Sequence, residues 1–399
     1  MLPIIEIPSF VTAHEKIFSE LLSFNQLIHM KRYVTGLAVL PNITITSINS
    51  AFVEKHDQSA MNRFLTEGDW SEKELNNKRF EYLQTFEQTK CKKSGIVVID
   101  DTIVHKTGKH IEGVSWIFDH CENKTVLGQS VVTSHYVDKQ VNYPIDYRFY
   151  FSEKSEYAKT HADDFKTKIQ LAIELMLDAI EKKAANIFTL DSWFICDDVV
   201  SCADEHSKAI VGRIKCDRLV HTSQNKLVSM SDFAKSLLDS DFKEIVVDEK
   251  KYKVFTKVMK LKSLKKKVRL VISWMEGKDE PVFLITNQLG WQPVKVIETY
   301  NFRYTIEPFY KDAKQNFGLE DCQMRTLDGV KRHWYLVFLA YSLVKLSLCR
   351  SKLNGKMSAV SVGEGCRLAS KELLEKFVYW VCGHAKEIPA SKILDLIFM

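Results

Sequence analysis

The order of strands and helix between residues 95 and 190 constrains the fold more than any other feature of the chain. Short β-rich runs follow one another closely from Gly95: IVVID, VSWIFDH, TVLGQSVVTSHYV and YPIDYRFYF. They predict an antiparallel meander. A helical pattern over residues 163–184 and the apolar strand NIFTL come next. Because that last strand could pair in parallel with the first, the order predicts an α/β, ribonuclease-H-like layered fold.

The helix over residues 163–184 is predicted from apolar residues spaced by three and four. Such spacing puts them on one face of an amphipathic helix. The predicted buried face consists of Phe165, Ile169, Ile173, Met176 and Ile180.

The segments before and after this core differ from it in their helix-like or strand-like sequence patterns. With 399 residues, the chain has room for two or three domains of about 100 to 200 residues each. Ser71 and Glu74 fit a capping box in a helix-like N-terminal region. We expect a helical domain over 1–90, a core domain in two parts over 91–214 and 289–330, a β-rich insertion subdomain over 215–288 and a helical C-terminal region over 331–399.

Composition narrows the class of protein. The net charge of +5 is too small to indicate a polyanion partner by itself. Nine cysteines without a CxxC pair argue against a disulfide framework and a zinc module. The N-terminus lacks the features of a secretory signal, and the apolar run from Trp334 to Leu348 is too short for a bilayer and contains Lys345. We therefore expect a cytoplasmic protein without a membrane partner, and a buried core helix at 334–348.

One local cluster of charge lies in the expected insertion. Residues 250–269 contain ten Lys or Arg and no acid, and Tyr252, Phe255 and Trp274 lie within or just after them. Basic side chains with nearby aromatic rings suit a phosphate backbone and unstacked bases. A solvated amphipathic hairpin explains the same pattern equally well.

Acidic residues follow two apolar strands. Asp100 and Asp101 come directly after IVVI, and Asp191 follows IFTL. Carboxylates at the tips of adjacent strands would converge where a central sheet commonly places its active site. On these residues alone, Asp191 is equally well explained as a helix N-cap for the segment that follows it.

A third acid belongs to a set of four polar residues. Tyr300, Arg303, Glu307 and Lys314 would lie within about 60° of one another on one helix face. There Glu307 could bind a divalent cation while Arg303 and Lys314 neutralise phosphate oxygens. A surface stripe of ion pairs is the alternative. Pro308 disfavours helical geometry at Glu307, so the helix could instead begin near Thr305 with Pro308 in its first turn.

Three carboxylates suit the chemistry of a phosphodiester. Two Mg²⁺ ions about 3.5 to 4 Å apart can activate the attacking oxygen and stabilise the leaving oxygen. Such hard cations take oxygen ligands, so Asp, Asp and Glu are appropriate residue types and Cys or His is not required.

These motifs together resemble the IS4-type DDE transposases of bacterial insertion sequences, most closely the IS701-like group. The segment YNFRYTIEPFYKDAK matches the family signature Tyr-x2-Arg-x3-Glu-x6-Lys in full, at Tyr300, Arg303, Glu307 and Lys314. IDDT with Lys106 and Gly108 is similar to its first acidic motif, and LDSWF followed by GRIKCDR to its second. The resemblance covers about residues 55–350.

The resemblance implies roles for individual residues. Asp100, Asp191 and Glu307 would be the catalytic, metal-binding acids, with Asp101 as the alternative first acid. Tyr300, Arg303, Lys314 and Lys106 would bind DNA phosphates. Trp274, in the expected insertion, is the candidate for stacking on a flipped base.

The resemblance also implies a reaction and partners. It implies Mg²⁺-dependent cut-and-paste transposition, for which Mn²⁺ could replace Mg²⁺, on double-stranded DNA comprising terminal inverted repeats and target. A homodimer is expected when DNA is bound. Two alternatives stay open: a domesticated or inactive DNA-binding derivative, and a metal-dependent nuclease of the same fold without strand transfer.

Overall fold

The structure is a computed structural model that describes residues 3–119, 122–153, 155–161, 165–222, 226–353 and 361–398. Its helices are α1 (Ser9–Thr12), α2 (Phe24–Val39), α3 (Ile45–Ala51), α4 (Gln58–Thr66), α5 (Glu72–Gln84), α6 (Glu156–Thr160), α7 (Lys168–Glu181), α8 (Asp197–Glu205), α9 (Met230–Lys235), α10 (Pro293–Asn301), α11 (Ile306–Phe317), α12 (Leu327–Leu353), α13 (Val362–His384) and α14 (Ala390–Phe398). Its strands are β1 (Ile96–His105), β2 (Ser115–Asp119), β3 (Lys124–Val137), β4 (Asn142–Tyr150), β5 (Ile187–Leu190), β6 (Ala209–Arg213), β7 (Leu219–His221), β8 (Leu227–Ser229), β9 (Lys243–Val247), β10 (Lys250–Met259), β11 (Val268–Met275) and β12 (Val282–Thr286).

A mixed sheet forms the centre of the molecule. β1 pairs antiparallel with β3, and β3 in turn pairs antiparallel with β2 and β4. On its other side β1 pairs in parallel with β5, and β5 pairs in parallel with β6. The predicted parallel pairing of the first strand with NIFTL is confirmed. The predicted meander was wrong for the first two strands, because β1 pairs with β3 and not with β2, although β2, β3 and β4 pair antiparallel in succession.

Helix α7 covers one face of this sheet, as the amphipathic pattern predicts. It begins at Lys168, with Thr167 as a reciprocal capping-box residue, and residues 163 and 164 of the predicted helix lie outside the described residues. Its most buried side chains are Leu171, Ala172, Leu175, Met176 and Ala179. The predicted amphipathic face is confirmed over the helix: Met176 is buried, and Ile169, Ile173 and Ile180 are half-buried and pack against the core. Phe165 is also half-buried but precedes the helix.

The strands between residues 215 and 288 continue the same sheet. β9 to β12 are antiparallel, and β12 pairs antiparallel with β6. Among the described residues, ten strands thus form one sheet, with β7 and β8 forming a separate two-stranded sheet. The region is β-rich, as expected, and its hydrogen bonding is continuous with that of β1, β5 and β6.

The N-terminal helices pack on the sheet through buried polar contacts. Ser71 caps α5, where its hydroxyl accepts from the backbone N–H of Glu74 at 3.2 Å. Further along α5, the buried Arg79 donates to Asn76, to the carbonyl of Ile145 in β4 and to Ser342 in α12. One guanidinium therefore joins an N-terminal helix, the sheet and a C-terminal helix.

Helix α12 contains the apolar run Trp334–Leu348 and lies in the core. Trp334, Leu336, Phe338 and Leu343 are almost completely buried, which confirms the predicted core helix. Within the described residues, no helix combines the length and apolar character that a bilayer crossing requires.

Candidate active site

Strand β1 presents Asp100 and Asp101 to opposite faces of the sheet, because successive side chains of a strand alternate. Asp100 contacts Arg303, whereas Asp101 pairs with Lys168 of α7, whose Nζ lies 2.5 Å from Asp101 Oδ2. The structure therefore brings Asp100 to the side of the predicted site, and Asp101 serves to hold α7 on the other side.

Asp191 follows β5 at the position that matches Asp100 in β1. Ile99 of β1 is paired with Leu190 of β5 across the parallel strands. Asp100 directly follows Ile99 in the chain, and Asp191 directly follows Leu190. Neighbouring strands lie about 4.8 Å apart, so the two carboxylates are close together. The predicted convergence of the two acids on adjacent strands is confirmed. The predicted position at a strand tip holds for Asp191 but was wrong for Asp100, because β1 continues to His105.

Arg303 lies between the acids and contacts all three. Its Nη1 is 3.1 Å from Asp100 Oδ2 and 3.7 Å from Glu307 Oε1, and its Nη2 is 3.4 Å from Asp191 Oδ1. Its Nε is buried without a hydrogen-bond partner among the described residues. One guanidinium thus compensates three carboxylates and retains a free donor.

The chain breaks its helix at Arg303. Helix α10 ends at Asn301, a 3-10 turn spans Phe302–Thr305, and α11 begins at Ile306. Glu307 and Pro308 are in the first turn of α11, where a missing N–H is tolerated. A continuous helical stripe through Tyr300, Arg303, Glu307 and Lys314 was therefore wrong, and the alternative start near Thr305 is confirmed.

The environments of the three acids differ. The side chain of Glu307 is 59% exposed, whereas that of Asp100 is 15% exposed. Burial raises the pKa of Asp100 to about 7; Arg303 opposes this rise, while the carboxylates of Asp101 and Asp191 add to it. Burial alone would lower the pKa of Arg303. The neighbouring carboxylate of Asp100 outweighs this effect, so the pKa of Arg303 is raised above its ordinary value. The site therefore holds more negative charge than one arginine satisfies.

A model of the family described as DDE superfamily endonuclease matches residues 23–232. This match covers more than half of the chain and includes Asp100 and Asp191. The chain belongs to the DDE superfamily endonucleases. No curated protein matches the sequence significantly. Membership implies a DNA substrate, a nuclease-like or transposase-like activity and the use of divalent metal ions.

In this DDE endonuclease, Tyr300 lies behind Arg303. Tyr300 is 3% exposed and packs among apolar residues of β6, β10, β11 and β12. Burial raises the pKa of its hydroxyl to about 12, and the neighbouring charge of Arg303 opposes this rise. Tyr300 is thus placed to orient Arg303, and its ring is not displayed beside Glu307.

Two predicted phosphate-binding lysines of the endonuclease instead contact the segment after α11. Lys106 is buried, and its Nζ donates to the carbonyls of Glu320 and Cys322 at 2.8 and 2.9 Å. Lys314 donates to the carbonyl of Ile103 and pairs with the Glu320 carboxylate at 2.6 Å. The structure does not bring Lys106 to the carboxylates, because its amine is used to hold this segment against β1.

Trp274 also lies away from the acids. It is in β11, three strands from β5 in the sheet, which is about 14 Å. Its half-buried ring contacts Phe242 edge-on at 5.1 Å between centroids. Tyr252 is buried and Phe255 is half-buried, so the aromatic rings of the basic segment serve mainly as core.

Residues that the sequence did not single out also contact the site of the endonuclease. The Tyr310 hydroxyl lies 2.6 Å from Thr133 Oγ1 and donates to the Asp100 carbonyl at 3.4 Å. Tyr310 follows Glu307 by three residues, a spacing that places both on neighbouring parts of α11. This three-residue spacing from Glu307 is the sequence feature that could have identified Tyr310 as a site residue.

A second group of metal-ligand types lies further along β1. His105, Asp119 and Glu122 place one potential ligand atom each within 4.8 Å of one another. His105 Nε2 is 2.9 Å from Asp119 Oδ2, and Lys124 pairs with Glu122 at 2.6 Å. Within the described residues, the hydrogen bond between His105 and Asp119 and the ion pair between Lys124 and Glu122 account for this group.

Proposed function

We propose that this endonuclease is a cut-and-paste DNA transposase that cleaves transposon ends and joins them to target DNA. Asp100, Asp191 and Glu307 would hold two divalent metal ions, Mg²⁺ or Mn²⁺. The observation that carries the proposal is the convergence of these three carboxylates on Arg303 from three separate segments of the chain.

The residues present fit divalent cations. All three donors are carboxylates, the ligand type that Mg²⁺ prefers. Asp100 is buried with a pKa raised to about 7, so added positive charge would favour its ionised form. Bound ions would supply an activated attacking oxygen and charge stabilisation at the leaving oxygen.

The other side chains have roles that follow from their contacts. Arg303 neutralises the carboxylates of Asp100, Asp191 and Glu307 through its two Nη atoms. Tyr300 holds Arg303 from behind, and Tyr310 fixes the backbone at Asp100. Asp191 is held in a turn in which its carbonyl accepts from the N–H of Phe194 at 3.1 Å.

The sheet supports a ribonuclease-H-like core. Three antiparallel strands, β4, β3 and β1, are followed by the parallel strands β5 and β6, with Asp100 in the central strand of these five and Asp191 at the tip of its parallel neighbour. The strands β9 to β12 then serve as the insertion between the second and third acids. We infer IS4-type membership from this arrangement together with the four motif residues from Tyr300 to Lys314.

The basic segment of β10 and β11 supports DNA binding in part. Lys251, Lys257 and Lys260 are exposed. Lys253, Lys265 and Lys266 instead form ion pairs with Asp239, Asp197 and Asp204. We infer that the exposed lysines contact terminal-repeat or target DNA, that the helical region over 1–90 provides further contacts, and that the protein acts in the cytoplasm as a DNA-bound homodimer.

Cleavage of DNA cloned from both flanks of the gene tests the function. We expect nicked and joined products in Mg²⁺ with the wild-type protein, and none with Glu307→Gln. The variant should still bind the same DNA, because only a metal ligand is changed. Asp101→Asn is the matched control, since Asp101 faces Lys168, and it should retain cleavage.

The products separate the possible outcomes. Full cleavage by Glu307→Gln would refute the assigned site. Hydrolysed ends without joined products would identify a nuclease, and binding without any cleavage by the wild-type protein would identify an inactive derivative.

A further inference from the structure

The guanidinium of Arg303 lies between the oxygens that divalent ions would bind. It contacts one oxygen of each acid: Oδ2 of Asp100, Oδ1 of Asp191 and Oε1 of Glu307. Mg²⁺ binds carboxylate oxygens at about 2.0 to 2.1 Å, so ions shared by these acids would lie among the same oxygens. Arg303 and the ions therefore need the same space.

The contacts of Arg303 with the acids are long. Charge-assisted hydrogen bonds between a guanidinium and a carboxylate are usually about 2.7 to 2.9 Å. The three contacts of Arg303 measure 3.1, 3.4 and 3.7 Å, and its buried Nε has no hydrogen-bond partner among the described residues. On the opposite face of β1, by contrast, the Nζ of Lys168 lies 2.5 Å from Asp101 Oδ2. One guanidinium shared by three acids is thus held less tightly than a dedicated ion pair.

A second position for the Arg303 side chain is within reach. Arg303 belongs to the 3-10 turn Phe302–Thr305 between α10 and α11 and not to either helix. Its Cζ is 5.4 Å from the ring centroid of Tyr304, which is within the range of a cation–π contact, and Tyr304 is 45% exposed. Rotation of the Arg303 side chain over this ring would take the guanidinium off the acids and towards solvent.

The charge of the site determines when Arg303 would move. Three carboxylates and one guanidinium carry a net charge of −2, and two divalent ions would reverse it to +2. Resting on the proposed function, we propose that Arg303 and the divalent ions compete for the three acids, so that Arg303 moves over Tyr304 when the ions bind. A DNA phosphate beside the acids would then receive Arg303 and favour the exchange. Arg303 is thus a positioning residue that couples metal binding to DNA binding.

Metal binding without DNA tests the competition by its sign. Full-length protein is titrated with Mn²⁺, and free Mn²⁺ is measured by electron paramagnetic resonance; the relevant binding is the part that Asp191→Asn abolishes. In Arg303→Gln the acids lose the competing charge, so Mn²⁺ should bind about tenfold more tightly than to the wild-type protein. If Arg303 instead held the acids in place, the same substitution would weaken Mn²⁺ binding. Weaker or unchanged binding would overturn the proposal.

Two further variants control for general effects of charge. Lys168→Gln removes an equal charge from the pair with Asp101 on the other face of β1, and it should leave the Mn²⁺ affinity nearly unchanged. Arg303→Lys keeps the charge but loses the planar fork, so its Mn²⁺ affinity should lie between those of wild type and Arg303→Gln. An equal gain of affinity in Lys168→Gln and Arg303→Gln would show that net charge alone sets the affinity, against the proposal.

Chemical modification of the wild-type protein tests the movement without any substitution. Phenylglyoxal, which reacts with accessible guanidinium groups, is applied with and without Mg²⁺, and the modified arginines are quantified by mass spectrometry. The side chain of Arg303 is only 14% exposed, so Mg²⁺ should increase its modification severalfold, and duplex DNA cloned from the gene flanks should then protect it. Arg148 is the matched control, because its side chain is 20% exposed and also contacts three acids. Mg²⁺ should not change its modification, and an equally unresponsive Arg303 would refute the movement.

The outcomes also separate this inference from the proposed function. If Asp191→Asn leaves Mn²⁺ binding unchanged, the acids hold no ion, and both the inference and the proposed function fail. If the wild-type protein cleaves flanking DNA but Arg303→Gln binds Mn²⁺ no more tightly, only the competition fails. If the competition is observed and no DNA is cut, the proposed function fails while the exchange at Arg303 stands.

Discussion

Replacing Asp100 by Asn should stabilise the metal-free protein. The pKa of Asp100 rises from an ordinary 3.8 to about 7 because the carboxyl is buried. One pKa unit corresponds to about 1.36 kcal/mol, so above pH 7 the ionised carboxylate costs the folded state about 4 kcal/mol. Asn has nearly the same shape and no charge. For 399 residues at about 2.1 cal/mol/K each, removal of that cost raises Tm by about 5 °C.

The pH dependence of the stability difference between Asp100→Asn and the wild-type protein tests the direction of this effect a second time. A carboxyl with a raised folded-state pKa destabilises the protein fully above pH 7, and this cost decreases as the pH falls from 7 towards 3.8. At pH 5.5 the folded state holds the proton while the unfolded state is still ionised, so the advantage of Asp100→Asn should be about half its value at pH 8. Thermal melting in EDTA across this range measures both values.

Two comparisons separate this effect from a general change in stability. Asp101→Asn should not stabilise the protein, because Asp101 is paired with Lys168. Mg²⁺ should raise the Tm of the wild-type protein more than that of Asp100→Asn, since the variant lacks a ligand. A lower Tm for Asp100→Asn at pH 8, or an advantage that grows as the pH falls, would refute the reasoning.

Two further substitutions test residues around the site. Lys106→Met should lower the free energy of unfolding by about 1 to 3 kcal/mol in urea, because two carbonyls lose their donor. It should leave the salt dependence of DNA binding unchanged; a slope reduced by about 0.9 would show a duplex phosphate contact instead. Gly212→Ala should cost about 1 to 3 kcal/mol in the same assay and slow cleavage, because its Cβ would displace Ile195 and the loop that carries Asp191. Gly290→Ala, with no atom within 4 Å of its added Cβ, should be neutral, and equal stability of the two glycine variants would contradict this packing argument.

The elements that could be predicted are those encoded over short distances. The apolar runs IVVI and IFTL are each followed by an acid, so the two strands and the acids beside them follow from local sequence, although β1 continues past Asp100 to His105. Pro308 indicated the start of α11 for a similar reason, since proline restricts its own backbone and that of Glu307. Asp100 was the predicted first acid, with Asp101 as the alternative, and strand alternation alone does not show which of the two faces Asp191. The structure places Asp100 beside Arg303 and Asp101 beside Lys168.

The parts that could not be predicted depend on partners distant in sequence. Lys106 belongs to a motif that suggests phosphate binding, yet its amine is buried by a segment more than 200 residues later. Strand β12 was not anticipated, although it joins the insertion to β6. Because β12 was not predicted, nothing in the sequence indicated that β9, β10 and β11 are joined through it to the central sheet.

The short segment from α10 to α11 links the insertion to the candidate active site. Tyr300 belongs to a buried cluster that includes Val254 of β10, Val271 of β11 and Leu284 of β12, and it lies close to Arg303, which contacts Asp100 and Asp191. Strand β10 also carries the exposed Lys251 and Lys257, so one strand contributes both to the basic surface and to the core behind Arg303. Burying Tyr300 among the insertion strands and directing Glu307 to solvent requires two helices with a turn between them.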